Sequence, residues 1–145
     1  MNENNELILH IYKSMYMGAE ATTDLLKALK DRDNKIKGII QEELKEYEKY
    51  IKECEKILKK KKIKLEKPSL MTKISSNLGI KMETMKDNSD SRIATMLTEG
   101  FIMGINEMNG KISTYKDYVD GSIIRLCKKI IKFQEKEIIR LKTFI

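Results

Sequence analysis

The sequence predicts an all-α protein built from four long helices packed as a bundle. Apolar residues recur every three or four positions over long stretches, which is the spacing that lines one face of a helix. The chain has one Pro and seven Gly, whereas an all-β domain of similar size needs many turn-forming clusters. Its 41% hydrophobic and 35% charged residues exclude the collagenous, disordered and disulfide-scaffold classes. The 145 residues predict a single domain over 1–145.

The first two helices are predicted over residues 5–30 and 34–62, joined by a short polar turn. A turn this short makes the second helix an antiparallel neighbour of the first. The stripe of each helix is the line of side chains on one face that is expected to face the core. In the first helix it comprises Ile8, Tyr12, Met15, Ala19, Thr22, Leu26 and Leu29. The stripe of the second comprises Ile36, Ile40, Glu43, Tyr47, Tyr50, Ile51, Cys54, Ile57 and Leu58. The second helix therefore places a carboxylate, Glu43, among its core positions.

A long connection over residues 61–88 joins the second helix to the third. Pro68 and Gly79 interrupt the helical pattern there, and one short amphipathic helix is predicted between them. A connection of this length can travel from one end of the bundle to the other, so the second and third helices are predicted to lie parallel. The residues of the short helix expected to face inward are Leu70, Ile74 and Leu78.

The third helix is predicted from about Asp90 to Tyr118, and the fourth from Asp120 to the C-terminus. The stripe of the fourth helix comprises Ile123, Ile124, Cys127, Ile130, Ile131, Gln134, Ile138, Leu141 and Phe144. Glu137 stands at the edge of this stripe.

The third helix is apolar on all sides between Ile93 and Met108, and a helix of this kind must be covered on all sides. We expect cover either from the short helix of the connection or from a second copy of the chain. A dimer of this kind would bury Ile102 and Met103. Which face of the third helix points inward is left open by its pattern.

The chain resembles the ferritin-like superfamily, and within it the small bacterial domains of unknown function. The resemblance rests on the four helix lengths, the one long connection and the phrases GAEATTDLLK, EELKEYEKY, LTEGFIMG and FQEKEIIRLK. It covers nearly the whole chain. It implies a ferritin-like four-helix bundle with a long crossover, carrying a short helix, between the second and third helices.

Ferritin-like proteins that bind two metal ions take one Glu from each of two helices and a Glu-x-x-His pair from each of the other two. Glu43 and Glu46 stand at the pair position of the second helix, and Gln134 and Glu137 at that of the fourth, each without His. Metal ligands in this chain would come from the candidates Glu20, Glu43, Glu46, Glu99 and Glu137.

Two hypotheses follow for this set of carboxylates. In the first, Glu43 and Gln134 form a metal-free buried layer, hydrogen-bonded to tyrosines such as Tyr12, Tyr47 or Tyr50, that fixes the register of the helices. In the second, the carboxylates bind Fe or Mn. Redox catalysis is disfavoured because imidazole is missing where an iron site of this type requires it.

The remaining polar residues predict no specific chemistry. The net charge of +7 favours encounters with anionic surfaces, and the lysines near residues 59–67 and in the fourth helix are expected to be solvated. We expect at most weak, salt-sensitive binding to anionic polymers and no specific nucleic-acid partner. The single histidine, His10, projects away from the apolar stripe and is expected at the surface.

The sequence predicts a cytoplasmic, non-enzymatic structural or interaction module without a cofactor. Cys54 and Cys127 lack the spacing of a zinc site or a disulfide framework, and no export signal or transmembrane segment is expected. A phosphate loop, a catalytic triad and a paired acid–base cleft are all missing from the pattern. The alternative is a carboxylate-based metal-binding protein.

Overall fold

A computed structural model describes residues 2–64 and 87–145 of the protein. These residues form α1 (Glu3–Ala28), α2 (Lys37–Lys60), α3 (Asp90–Tyr115) and α4 (Gly121–Leu141), and a 3₁₀ turn follows over Lys142–Phe144. The two described ranges contain no strand, which confirms the predicted all-α class. The short helix predicted around residues 70–78 lies outside the described residues.

Side-chain caps determine where α1 and α3 begin. The Asn2 side chain accepts a hydrogen bond of 2.9 Å from the backbone N–H of Asn5, and Ser89 accepts one of 3.2 Å from that of Arg92. Each cap satisfies a backbone donor that has no partner within its helix. The ends differ slightly from those predicted, since α3 stops at Tyr115 rather than at Tyr118.

Contacts between helix ends define the directions of the four helices. At one end, Asn34, which precedes α2, donates a hydrogen bond of 2.9 Å to Asp90 at the start of α3. At the other end, the backbone N–H of Asp120 before α4 donates to Asn4 of α1 at 2.7 Å, and Lys61 after α2 lies 3.6 Å from the Asp120 carboxylate. Helices α1 and α4 therefore run in one direction and α2 and α3 in the other, which confirms that the first two helices are antiparallel.

The helices pack as two pairs around one core. α1 packs most extensively against α2 and α3 against α4. Within the described residues, no Cα of α2 lies within 8 Å of one of α3, so these two helices lie on a diagonal and meet only through long side chains. The inward face of α1 includes Ile11 and Leu25, whereas Ala19 and Leu26 are only half-buried. The predicted stripe of α1 was therefore rotated slightly away from the true core. Fully buried side chains come from all four helices: Leu7, Ile8, Ile11, Leu25, Ile40, Leu58, Ile93, Ile123 and Ile130.

The structure also decides which face of α3 points inward. Phe101 and Met108 are buried, whereas Ile102 is 46% exposed and Met103 72% exposed. Helix α3 thus presents apolar side chains on its outer face as well as on its inner one. Among the residues described, none of the helices combines the length and apolar character needed to cross a membrane.

A buried carboxylate layer as the candidate functional site

Two of the predicted candidates, Glu43 and Glu137, lie together inside the bundle. Glu43 on α2 is 1% exposed and Glu137 on α4 is 2% exposed. Glu43 lies on the buried face of α2, three residues after Ile40, so the same periodicity that buries the isoleucine carries the carboxylate inward. Glu137, predicted at the edge of the stripe of the fourth helix, is buried as well.

The two carboxyl groups are held together by a proton on Glu43. Burial, and then the hydrogen bond to Glu137, raise the pKa of Glu43 to about 9. Oε2 of Glu43 is buried and has no hydrogen-bond partner, and an unpaired buried charge would be strongly unfavourable. Burial therefore favours the neutral form of Glu43 beside Glu137.

Arg140 balances the charge that remains on Glu137. Its Nη1 donates to both carboxylate oxygens of Glu137, at 3.4 Å and 3.2 Å, and its Nη2 pairs with Glu42. The Arg140 side chain is 29% exposed, so it links the buried pair to the surface between α2 and α4. Sequence reasoning missed Arg140 and Glu42, although Glu137 and Arg140 have the i,i+3 spacing of a helical ion pair.

Tyr47 packs beside this layer through its ring. The ring lies 6.5 Å from that of Phe101 in a stacked arrangement and 5.4 Å from that of Phe133 in an edge-to-face one. A Cβ added at Gly18 would lie 2.3 Å from the Tyr47 ring. A glycine in α1 is therefore what allows the aromatic ring to approach the helix backbone closely.

The tyrosine hydrogen bonds expected for Glu43 are not made. The hydrogen-bond partner of Glu43 is Glu137, while Tyr50 bonds to Glu46. Burial, followed by the charges of Glu43 and Glu137, raises the pKa of Tyr47. The polar layer is thus built from acids and a guanidinium rather than from phenols.

Gln134 extends the layer toward α3. It is 5% exposed, and its Oε1 has no hydrogen-bond partner. A Cβ at Gly104 of α3 would lie 2.6 Å from Nε2 of Gln134, so glycine at this position leaves room for the amide. The expectation that Gln134 is a buried core residue is confirmed.

The structure does not gather the other candidate ligands around this pair. Glu46 is half-buried on α2, Glu20 is half-buried on α1, and Glu99 is exposed on α3. Within residues 2–64 and 87–145, no three His, Cys, Asp or Glu side chains are arranged to hold a metal ion. The carboxylates that do meet, Glu43 and Glu137, form a pair rather than a ligand set.

His10 and the two cysteines lie elsewhere. Nε2 of His10 is 2.9 Å from Glu107 and the imidazole is only 27% exposed, so its predicted surface position is only partly right. Burial, opposed by Glu107, lowers the pKa of His10. Cys54 and Cys127 are free and fully buried, and burial raises their pKa values to about 12 and about 11. Both thiols are therefore protonated and unreactive in the folded protein.

The site as a whole is a proton-sharing acid pair closed by one guanidinium. Its two carboxyl groups come from α2 and α4 and are both buried. Such a network specifies the register of the helices and can release one proton when the pH rises. Comparison of the chain with models of protein families, with curated proteins and with solved structures finds no match.

Proposed function

We propose that this protein is a non-enzymatic interaction module with a ferritin-like bundle, and that it self-associates through the outer face of α3. The observation that carries the proposal is the exposure of Ile102 and Met103, 46% and 72%, on one helix. Large apolar side chains left exposed together favour burial against a partner.

The directions of the helices support the ferritin-like part of the proposal. Because α2 and α3 run the same way, the chain that leaves α2 near Asp120 must reach the opposite end of the bundle, where Asn34 donates to the backbone carbonyl of Asn88 at 3.0 Å. Two antiparallel hairpins joined by one such crossover are the connectivity of ferritin-like bundles.

The buried layer supports the non-enzymatic part. Glu43 carries a proton, and the Arg140 guanidinium occupies the cationic position beside Glu137. The charges of the layer are thus balanced by the chain itself. A layer of this kind acts on the fold, by fixing the register of α2 against α4.

The charge distribution favours a second copy as the partner of α3. The chain carries a net charge of +7, so two copies repel one another over most of their surfaces. Helix α4 contains two acidic and six basic residues, whereas α3 contains three acidic and two basic ones. Two copies therefore approach with less repulsion through α3 than through α4. The charged residues of α3 are Asp90, Arg92, Glu99, Glu107 and Lys111.

Light scattering coupled to size exclusion tests this assignment. We expect the parent protein to be a dimer and Met103→Lys to be a monomer, because a buried lysine in the interface would be unpaired. Ile139→Lys is the matched control, since Ile139 is 66% exposed on α4 and its replacement leaves α3 unchanged. A monomeric parent protein, or equal effects of both substitutions, would contradict the proposal.

A second candidate function is metal binding by the carboxylates, and it is favoured by the unpartnered Oε2 of Glu43. Thermal unfolding with chelator and with Mn²⁺ or Fe²⁺ separates the two functions. A metal present at a hundred times its dissociation constant stabilises the folded state by about 2.7 kcal/mol. We expect no metal-dependent shift in the parent protein. A rise in Tm that disappears in Glu43→Gln would establish the second function instead.

A further inference from the structure

We propose that the groove between α2 and α4 is a binding site for an extended, phosphate-bearing polyanion. The groove has a volume of about 560 Å³ beside the end of α4, where lysines of both helices form its walls. A second hollow of about 460 Å³ between the same two helices continues toward the start of α4. This surface is separate from the outer face of α3.

Cationic side chains form a row along each wall of the groove. On α2 the row spans about 16 Å from Lys45 to Lys56, and on α4 about 22 Å from Arg125 to Arg140, at 1.5 Å per residue. Neighbours in each row are three or four residues apart and therefore lie one helical turn apart on the same face. The rows that line the two hollows consist of Lys45, Lys49 and Lys56 on α2 and Arg125, Lys129, Lys132, Lys136 and Arg140 on α4. Lys52 continues the α2 row beside a hollow that α2 forms alone.

Five carboxylates line the same hollows, so the nine cations of the two rows exceed the acids by four; these acids are Glu42, Glu46, Glu48, Glu53 and Glu137. Lys129 pairs with Glu53 at 3.3 Å, and Arg140 is taken up by Glu42 and Glu137. No ion pair is recorded in the described part of the chain for the remaining members of either row. The groove is consequently positive overall, with the excess of cations on its α4 wall.

Lys45, Lys132 and Lys136 are central to this surface. Each side chain is exposed, and each lines the 560 Å³ hollow. Ammonium groups are compact point charges that bind phosphate oxygens. Several of them in two facing rows match a ligand whose negative charge repeats along a chain.

The floor of the groove favours recognition of the charged chain over recognition of bases or of a protein surface. Tyr50 and Phe133 lie at the floor but are only 4% and 6% exposed, and the Lys49 ammonium lies 5.2 Å from the centre of the Tyr50 ring. Neither ring is free to stack on a base, and the floor lacks the exposed apolar core of a protein interface. Binding therefore rests on the charges of the phosphates.

Fluorescence anisotropy with defined probes tests the proposal. The probes are a linear inorganic polyphosphate, single-stranded polyuridine RNA, polyglutamate and vesicles containing phosphatidylserine, each at several salt concentrations. We expect the first two to bind, with log K falling against log salt with a slope near −4, since about six cations each release about 0.7 of a counterion. Polyglutamate and the vesicles are expected to bind at least tenfold more weakly.

The triple variant Lys45→Gln, Lys132→Gln, Lys136→Gln removes three groove charges. For this variant, the slope of log K against log salt is expected to change from about −4 to about −2, and its affinity at low salt should be at least tenfold lower than that of the parent protein. The matched control is Lys13→Gln, Lys35→Gln, Lys116→Gln, which removes the same charge from exposed positions outside the groove and should keep at least half of the affinity. Circular dichroism verifies that both variants stay helical.

Three results would overturn the proposal. An equal loss of binding affinity in both triple variants would show that the net charge of the protein, and not the groove, attracts the polyanion. Binding of polyglutamate as tight as that of polyphosphate would remove the preference for phosphate, and preferential binding to vesicles would assign the surface to membranes. Absence of binding to every probe at low salt would exclude a polyanion site altogether.

Discussion

The two halves of the bundle core are built differently. In the half that contains the start of α1 and the end of α2, the fully buried side chains are apolar or thiols, with Ile8, Leu58 and Cys54 at 0% exposure. In the opposite half, near the start of α2 and the end of α4, Glu43 and Glu137 are equally buried. The apolar half gains stability by transferring side chains out of water, whereas the polar half pairs specific groups and so discriminates against other registers.

The contrast shows that one helix can serve both purposes along its length. Helix α2 buries Glu43 near its start and Leu58 near its end through one continuous stripe. Because hydrophobic contacts are not directional, the apolar half tolerates small shifts between helices. The acid pair requires its partners at hydrogen-bonding distance, so a shift of one turn would leave charges unpaired.

The largest effect is expected from a cavity in the apolar half. Leu58→Ala removes a fully buried side chain and should lower the free energy of unfolding by about 3 kcal/mol, since such truncations cost about 2–5 kcal/mol. Urea denaturation followed by circular dichroism measures the change. The counterpart in the polar half is Glu43→Gln, for which we expect a near-neutral or stabilising effect at pH 7. If Leu58→Ala cost less than Glu43→Gln, the assignment of stability to the apolar half would be wrong.

An intermediate effect is expected from pH acting on the polar half. The pKa of Glu43 is raised from 4.5 to about 9, so the folded state binds its proton more tightly than the unfolded state does. The resulting stabilisation is complete below about pH 4.5 and is lost progressively as the pH rises toward about 9.

Denaturation of the parent protein and Glu43→Gln at several pH values between 5 and 9 measures this dependence. We expect the free energy of unfolding of Glu43→Gln to increase relative to that of the parent protein as the pH rises, because Gln cannot ionise. Leu58→Ala is the control, and its difference from the parent should not depend on pH. If the free energies of unfolding of Glu43→Gln and the parent protein differed by the same amount at every pH, Glu43 would already be ionised in the folded protein.

The smallest effect on stability is expected from Gly→Ala substitutions on the exposed side of α3. These should have equal effects in the polar and the apolar half of the bundle. A Cβ at Gly100 or at Gly110 meets nothing within 4 Å, so Ala at either position should stabilise α3 by about 0.5–1 kcal/mol. Both Gly→Ala substitutions are measured in the Met103→Lys variant, so that dimerisation does not contribute to the measured stability. Gly18→Ala should instead destabilise, because its Cβ would meet the Tyr47 ring at 2.3 Å. Unequal gains at Gly100 and Gly110 would show that the difference between the halves extends beyond the core.

Much of this fold could be predicted because helical periodicity is a local property. The stripe of α2 correctly placed Ile40, Glu43, Cys54 and Leu58 in the core, since each position depends only on its neighbours in the same helix. The stripe of α1 was less exact because apolar and polar residues share its flanks, and Leu25 rather than Leu26 is buried.

The sequence by itself determined that residues 2–64 and 87–145 form four long helices and that a carboxylate enters their core. Only the tertiary structure decided that Glu43 meets Glu137, that Arg140 closes the pair, and that α3 turns Met103 outward. The physical reason is that a buried ionisable group must find its partner on another helix. Which residues meet there depends on how the side chains of neighbouring helices interlock, and no pattern within one helix contains that information.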